Sequence, residues 1–117
     1  MGNNLWKEEI NMTKPRVYTI NNVELEMFTI GELAQRLDRQ RQTLRKWEKQ
    51  GLIPQAIYRS KAGRRLYTKN QIEAIVDCVV KFKIKQGQPI PKEFKDEVYQ
   101  AFELASKKDF ETEVSIG

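Results

Sequence analysis

Histidine is absent from this 117-residue chain, and cysteine occurs once, as Cys78. Without histidine there is no imidazole base for a serine or cysteine nucleophile. A His/Cys metal site is excluded on the same ground, and one cysteine cannot make an intramolecular disulfide. No apolar run approaches the roughly 18 residues of a membrane span, and the N-terminus lacks a signal-peptide apolar core. The chain is therefore expected to be cytosolic. No carboxylate pair or phosphate-binding glycine loop is discernible, so neither an enzyme nor a cofactor is expected. Internal repeats and low-complexity segments are missing as well.

What is present is positive charge, unevenly placed. The net charge is +5, but Thr29 to Gly87 holds 14 Lys and Arg against 5 Asp and Glu, a balance of +9. The flanks hold 7 basic and 11 acidic residues, a balance of −4. Scattered charge of this size marks only a solvated surface. Concentrated on a helix-turn-helix pattern, it points to nucleic acid.

The length suits one domain with small appendages. Residues 1–15 are polar and unpatterned, which predicts a flexible tail. Residues 16–27 read as a β-hairpin: two alternating arms flank Asn21-Asn22, a pair that tolerates the positive φ of a type I′ turn. The second arm sets Val23, Leu25 and Met27 on one face and Glu24 and Glu26 on the other. That acidic face suits a lid or a partner surface better than DNA.

Residues 28–87 form the central unit. Thr29 with Glu32 makes a capping box that opens a helix, whose Ile30, Leu33, Ala34 and Leu37 share one stripe. Asp38-Arg39-Gln40 supplies a turn. A second helix spans residues 41–50 and ends at Gly51, with Leu44 and Trp47 inward and Gln42, Arg45, Lys46 and Lys49 outward. Residues 56–67 give two short extended pieces joined near Ala62-Gly63, a basic wing. Thr68 with Gln71 caps a third helix, expected to run to about Gln86 with Ile72, Ile75, Val76, Val79 and Phe82 as its core stripe. Beside that stripe Cys78 reads as a half-buried, inert thiol. Lys81, Lys83 and Lys85 suit the negative end of the helix dipole. Residues 88–108 carry a last helix striped by Phe94, Val98, Ala101, Phe102 and Ala105. Packing on its own domain is the first reading of that stripe, and a homodimer or higher assembly the second. Residues 109–117 are expected to be a flexible tail.

Thr29-Ile30-Gly31-Glu32-Leu33-Ala34, Thr43-Leu44-Arg45, Trp47-Glu48-Lys49-Gln50-Gly51-Leu52-Ile53-Pro54 and Gly63-Arg64-Arg65-Leu66-Tyr67 occur in that order. Together they resemble the MerR-type winged-helix DNA-binding domain. The resemblance implies a mainly α fold with a small β component: a winged helix-turn-helix plus an N-terminal β-hairpin and a C-terminal helix. It also implies that Arg41, Gln42, Thr43, Arg45 and Lys46 meet the major groove. Lys49 continues that basic face. Arg59, Lys61, Arg64, Arg65 and Tyr67 of the wing would meet phosphates or the adjacent minor groove. MerR regulators usually carry two tyrosines where Lys46-Trp47 stands here, and their metal sensors add a cysteine-rich loop and a long dimerisation helix. The short form is similar to relatives in phage excisionases, small terminase subunits and small developmental regulators.

Position by position, Gln42 and Lys46 can read base edges or phosphates equally well, since Gln pairs with adenine and Lys with guanine. Thr43 can also serve helix packing, and Trp47 belongs to the core. Arg64 and Arg65 alternate on a strand, so both should not face DNA. Arg59 and Lys61 share a face by period two and form the preferred phosphate clamp. The expected partner is double-stranded DNA, bound by a sequence-preferring regulator. The alternatives are an architectural or accessory DNA-binding factor of the excisionase, nucleoid-organising or small-terminase kind, and a protein-interaction adaptor.

Overall fold

A computed structural model describes residues 16–116, with side chains through Glu111. The tail expected over residues 1–15 lies outside the described residues. Strands β1 (Arg16–Ile20) and β2 (Val23–Thr29) form the N-terminal hairpin, and helices α1 (Ile30–Leu37) and α2 (Arg41–Lys49) the helix-turn-helix. Strands β3 (Tyr58–Arg59) and β4 (Arg65–Thr68) form the wing. Helices α3 (Lys69–Lys81) and α4 (Lys92–Ile116) close the domain. The result is mainly helical with one small sheet, a winged helix-turn-helix with an N-terminal hairpin and a C-terminal helix.

The two hairpins are one sheet. Its order is β1-β2-β4-β3, all antiparallel, and the seam pairs Met27 with Thr68, Phe28 with Tyr67 and Thr29 with Leu66. At the outer turn Asn21 and Asn22 both take positive φ, 51° and 67°, as a type I′ turn requires. The seam strands each run straight into a helix through a threonine. Thr29 Oγ1 accepts from Glu32 N–H at 3.2 Å while Glu32 Oε1 accepts from Thr29 N–H at 2.6 Å. Thr68 and Gln71 repeat this reciprocal cap at 3.1 and 2.9 Å. Because β2 and β4 are antiparallel, α1 and α3 leave the sheet in opposite directions.

Leu33, Leu44, Ile53, Tyr67, Ile75, Phe94 and Val98 fill the main core, and Leu25, Met27 and Leu66 make a second cluster under the sheet. Cys78 is buried, deeper than its half-buried expectation, and burial pushes its thiol pKa up. The helical pair α1–α2 turns at Asp38, which adopts φ 57°. Asp38 N–H bonds Gln35 O and Arg39 N–H bonds Ala34 O, the double closure of a Schellman motif.

Three expectations need correction. First, α3 stops at Lys81 rather than near Gln86. Lys83 takes φ 51°, its N–H bonds Val80 O, and Ile84 N–H bonds Val79 O, so a second Schellman motif ends the helix and buries Ile84. Second, α4 does not end at Lys108 but continues to Ile116, replacing the expected tail. Its buried stripe extends from Phe94, Val98, Phe102 and Ala105 to Asp109, whose Oδ1 accepts from Asn70 Nδ2 at 2.8 Å. Phe110 packs on the cluster under the sheet. Third, the hairpin set apart from the central unit as residues 16–27 shares a ladder with the wing.

Candidate nucleic-acid interface

Helix α2 has two faces of different chemistry. Inward, Leu44 and Trp47 are buried, and the Trp47 ring meets Phe94 edge-on at 6.4 Å. Outward, Arg41, Gln42, Arg45, Lys46 and Lys49 are exposed, with Thr43 half-buried at the margin. The ion pairs among the described residues join Arg36 to Glu73, Arg65 to Glu48 and Lys81 to Glu97. The cations on the outer face of α2 are in none of them. A helix bearing four cations with no ion-pair partner among the described residues offers positive charge to an external anion.

A groove of about 430 Å³ lies between α2 and the wing, lined by Arg41, Arg45, Arg64, Arg65, Gly31 and Gly63. Arg41 folds back over the first turn of α1. A Cβ at Gly31 would sit 2.9 Å from Arg41 Nε, so the guanidinium occupies space that only glycine leaves open. A wider groove of about 610 Å³ flanks the other side of α2, bordered by Thr43, Lys46 and Gln50 and by Lys85 and Gln88 of the α3–α4 connection. The early stop of α3 brings Lys85, expected to suit the helix dipole, to this groove. Arg39 fixes that connection, donating to Leu37 O at 3.0 Å and to Ile84 O at 2.8 Å. Its place in the turn gave no periodic signal of that role.

The wing separates its basic residues. Lys61 and Arg64 are exposed. Arg59 is exposed too, but its Nη1 donates to Gly63 O at 3.0 Å across the turn. The expected pairing of Arg59 and Lys61 by strand periodicity does not hold, because β3 ends at Arg59 and Lys61 sits in the turn. While Arg64 stays exposed, Arg65 is half-buried and turned toward Glu48. Its Nε donates to Glu48 Oε1 at 2.7 Å. Burial alone would raise the Glu48 pKa; the Arg65 hydrogen bond, the Ala56 N–H and the charges of Arg65 and Arg59 outweigh it and hold the carboxyl below its usual 4.5.

Tyr67 is a correction. It was expected at the DNA surface, yet it is fully buried opposite Phe28 in the seam, with burial pushing its phenol up to about 12. An aromatic on β4 that faces the core supports the wing from below and cannot touch a ligand above it.

Residues 28–78 match the family model described as MerR HTH family regulatory protein. That span contains α1, α2, the wing and most of α3. No curated protein and no solved structure matches the chain.

Proposed function

We propose that this chain binds double-stranded DNA with sequence preference and regulates transcription, a reading supported by the match of residues 28–78 to the MerR HTH family model. In this reading α2 enters the major groove. Gln42, Arg45 and Lys46 face base edges. Arg41, Lys49, Lys61 and Arg64 neutralise flanking phosphates, and Lys85 does so on the far side of α2. Arg59 adds its charge at the wing tip, and Thr43 lines the far groove. The observation that carries the reading is the exposed basic face of α2, without an ion pair among the described residues, continued by Arg64 across the groove toward the wing.

An accessory or architectural role is the second reading, and one observation favours it. The apolar stripe of α4, the candidate assembly surface, is buried against its own domain. A single module reads few bases, so specificity would then come from tandem sites or from the shape of the DNA. Selection from a random duplex pool, repeated with Arg45→Ala at two salt concentrations, separates the readings. A recovered motif that weakens in Arg45→Ala supports regulation. Salt-sensitive binding without a motif supports the architectural role, and no binding at low salt sinks both.

A further inference from the structure

Glu48 is a buried carboxylate on the helix whose outer face carries the exposed cations. It looks the other way. Its Oε2 accepts from Ala56 N–H at 3.0 Å. Its Oε1 accepts from Nε of Arg65 at 2.7 Å, and Nη2 of Arg65 lies 2.7 Å from the same oxygen as an ion pair. Ala56 lies in the connection that leads into β3, and Arg65 opens β4. One carboxylate therefore ties both legs of the wing to α2. The geometry also sorts two adjacent arginines that both line the groove: Arg65 is half-buried and bound to Glu48, while Arg64 is exposed opposite Arg45.

Buried ion pairs are weak evidence of added stability, because desolvation offsets much of the attraction. Their better-attested use is to specify one arrangement over another. We propose that Glu48 and Arg65 are positioning residues for DNA binding, which set the angle between α2 and the wing so that Arg45 and Arg64 meet the same duplex. The proposal rests on the DNA-binding reading above. It removes Arg65 from the phosphate contacts and adds Glu48, which touches no DNA, to the determinants of affinity. Residues that act through one link should also lose affinity together rather than additively.

The test measures affinity for a labelled duplex between about 50 and 200 mM salt, where phosphate contacts dominate the slope. The wild type, Glu48→Gln, Arg65→Gln and the double variant are compared at a temperature where circular dichroism shows each folded. Glu48→Gln keeps the shape of the side chain and an acceptor for Ala56 N–H. Each single variant is expected to bind about tenfold more weakly at every salt concentration, with an unchanged slope and no further loss in the double variant. A slope shallower by about 0.9 in Arg65→Gln makes Arg65 a direct phosphate contact and overturns the proposal. Wild-type affinity in the folded variants overturns it too, leaving the pair a purely internal contact. Where Arg65→Gln does not fold, Arg65→Lys takes its place: weaker binding at unchanged slope supports the proposal and wild-type affinity refutes it. Failure of the wild type to bind at the lowest salt overturns the DNA-binding reading itself, whereas wild-type binding with unaffected variants overturns this inference alone.

Discussion

The sheet joins two antiparallel hairpins that differ in charge. The outer hairpin, β1–β2, turns at Asn21-Asn22 and exposes Glu24 and Glu26; the wing turns at Gly63 and exposes Arg59, Lys61 and Arg64. Both lean on the same apolar cluster of Leu25, Met27 and Leu66. The inner faces therefore hold the fold, and the outer faces assign each hairpin its neighbourhood. On the proposed reading, phosphates would be repelled by the acidic end and attracted by the basic one, which would steer a duplex along α2 toward the wing.

The largest expected effect comes from breaking what the hairpins share. Met27 is 1% exposed on the seam strand. Met27→Ala should cost about 2–5 kcal/mol of stability in urea unfolding, since a buried methionine leaves a cavity under both hairpins. A loss confined to one hairpin, seen as local amide exchange without a lower midpoint, would break the comparison.

Next comes the groove between α2 and the wing. Arg45→Ala should weaken binding to the preferred duplex by about 1–3 kcal/mol, measured by fluorescence anisotropy. The charge contrast itself is tested by two neutralisations of similar size. Arg64→Gln should reduce the salt slope by about 0.9, while Glu26→Gln should leave it unchanged. Equal slopes in both variants would mean that the sign of the hairpins is irrelevant.

Acid offers a milder perturbation. The carboxyl of Glu48 titrates below its ordinary 4.5, so the stability it supplies is complete above that value and is lost as pH falls through the lower folded value. Thermal midpoints should decline below about pH 4.5 more steeply in the wild type than in Glu48→Gln. Tyr67→Phe should have the smallest effect. The phenol oxygen is buried with no hydrogen-bond partner among the described residues. Its removal should leave stability within about 0.5 kcal/mol, or improve it slightly, and leave DNA affinity unchanged.

Local patterns were readable in the chain before its structure. The capping boxes at Thr29 and Thr68, the asparagine turn, the stop at Gly51 and the inward Leu44 and Trp47 all arise from neighbours within four residues, where spacing determines geometry. Long-range pairing was not readable. Nothing in residues 23–29 announces β4 as their partner, so the hairpin looked separate and Tyr67 looked exposed. The end of α3 was misplaced because Lys83, not glycine, takes the left-handed turn. The length of α4 was hidden by Asp109, a polar residue on a buried stripe, satisfied in part by Asn70 some forty residues away in sequence. Glu48 belongs to the same class: its partners Ala56 and Arg65 lie eight and seventeen residues away in sequence, and only the fold brings them together.

The central claim is that the outer face of α2 and the wing form one DNA-binding surface. Its most direct measurement is the salt dependence of binding to the preferred duplex for the wild type, Arg45→Ala and Arg64→Gln. With six to eight phosphates neutralised, the wild-type log–log slope should lie at roughly −5 to −7, and both substitutions should weaken binding. Salt-independent binding, or wild-type affinity in both variants, would contradict the account.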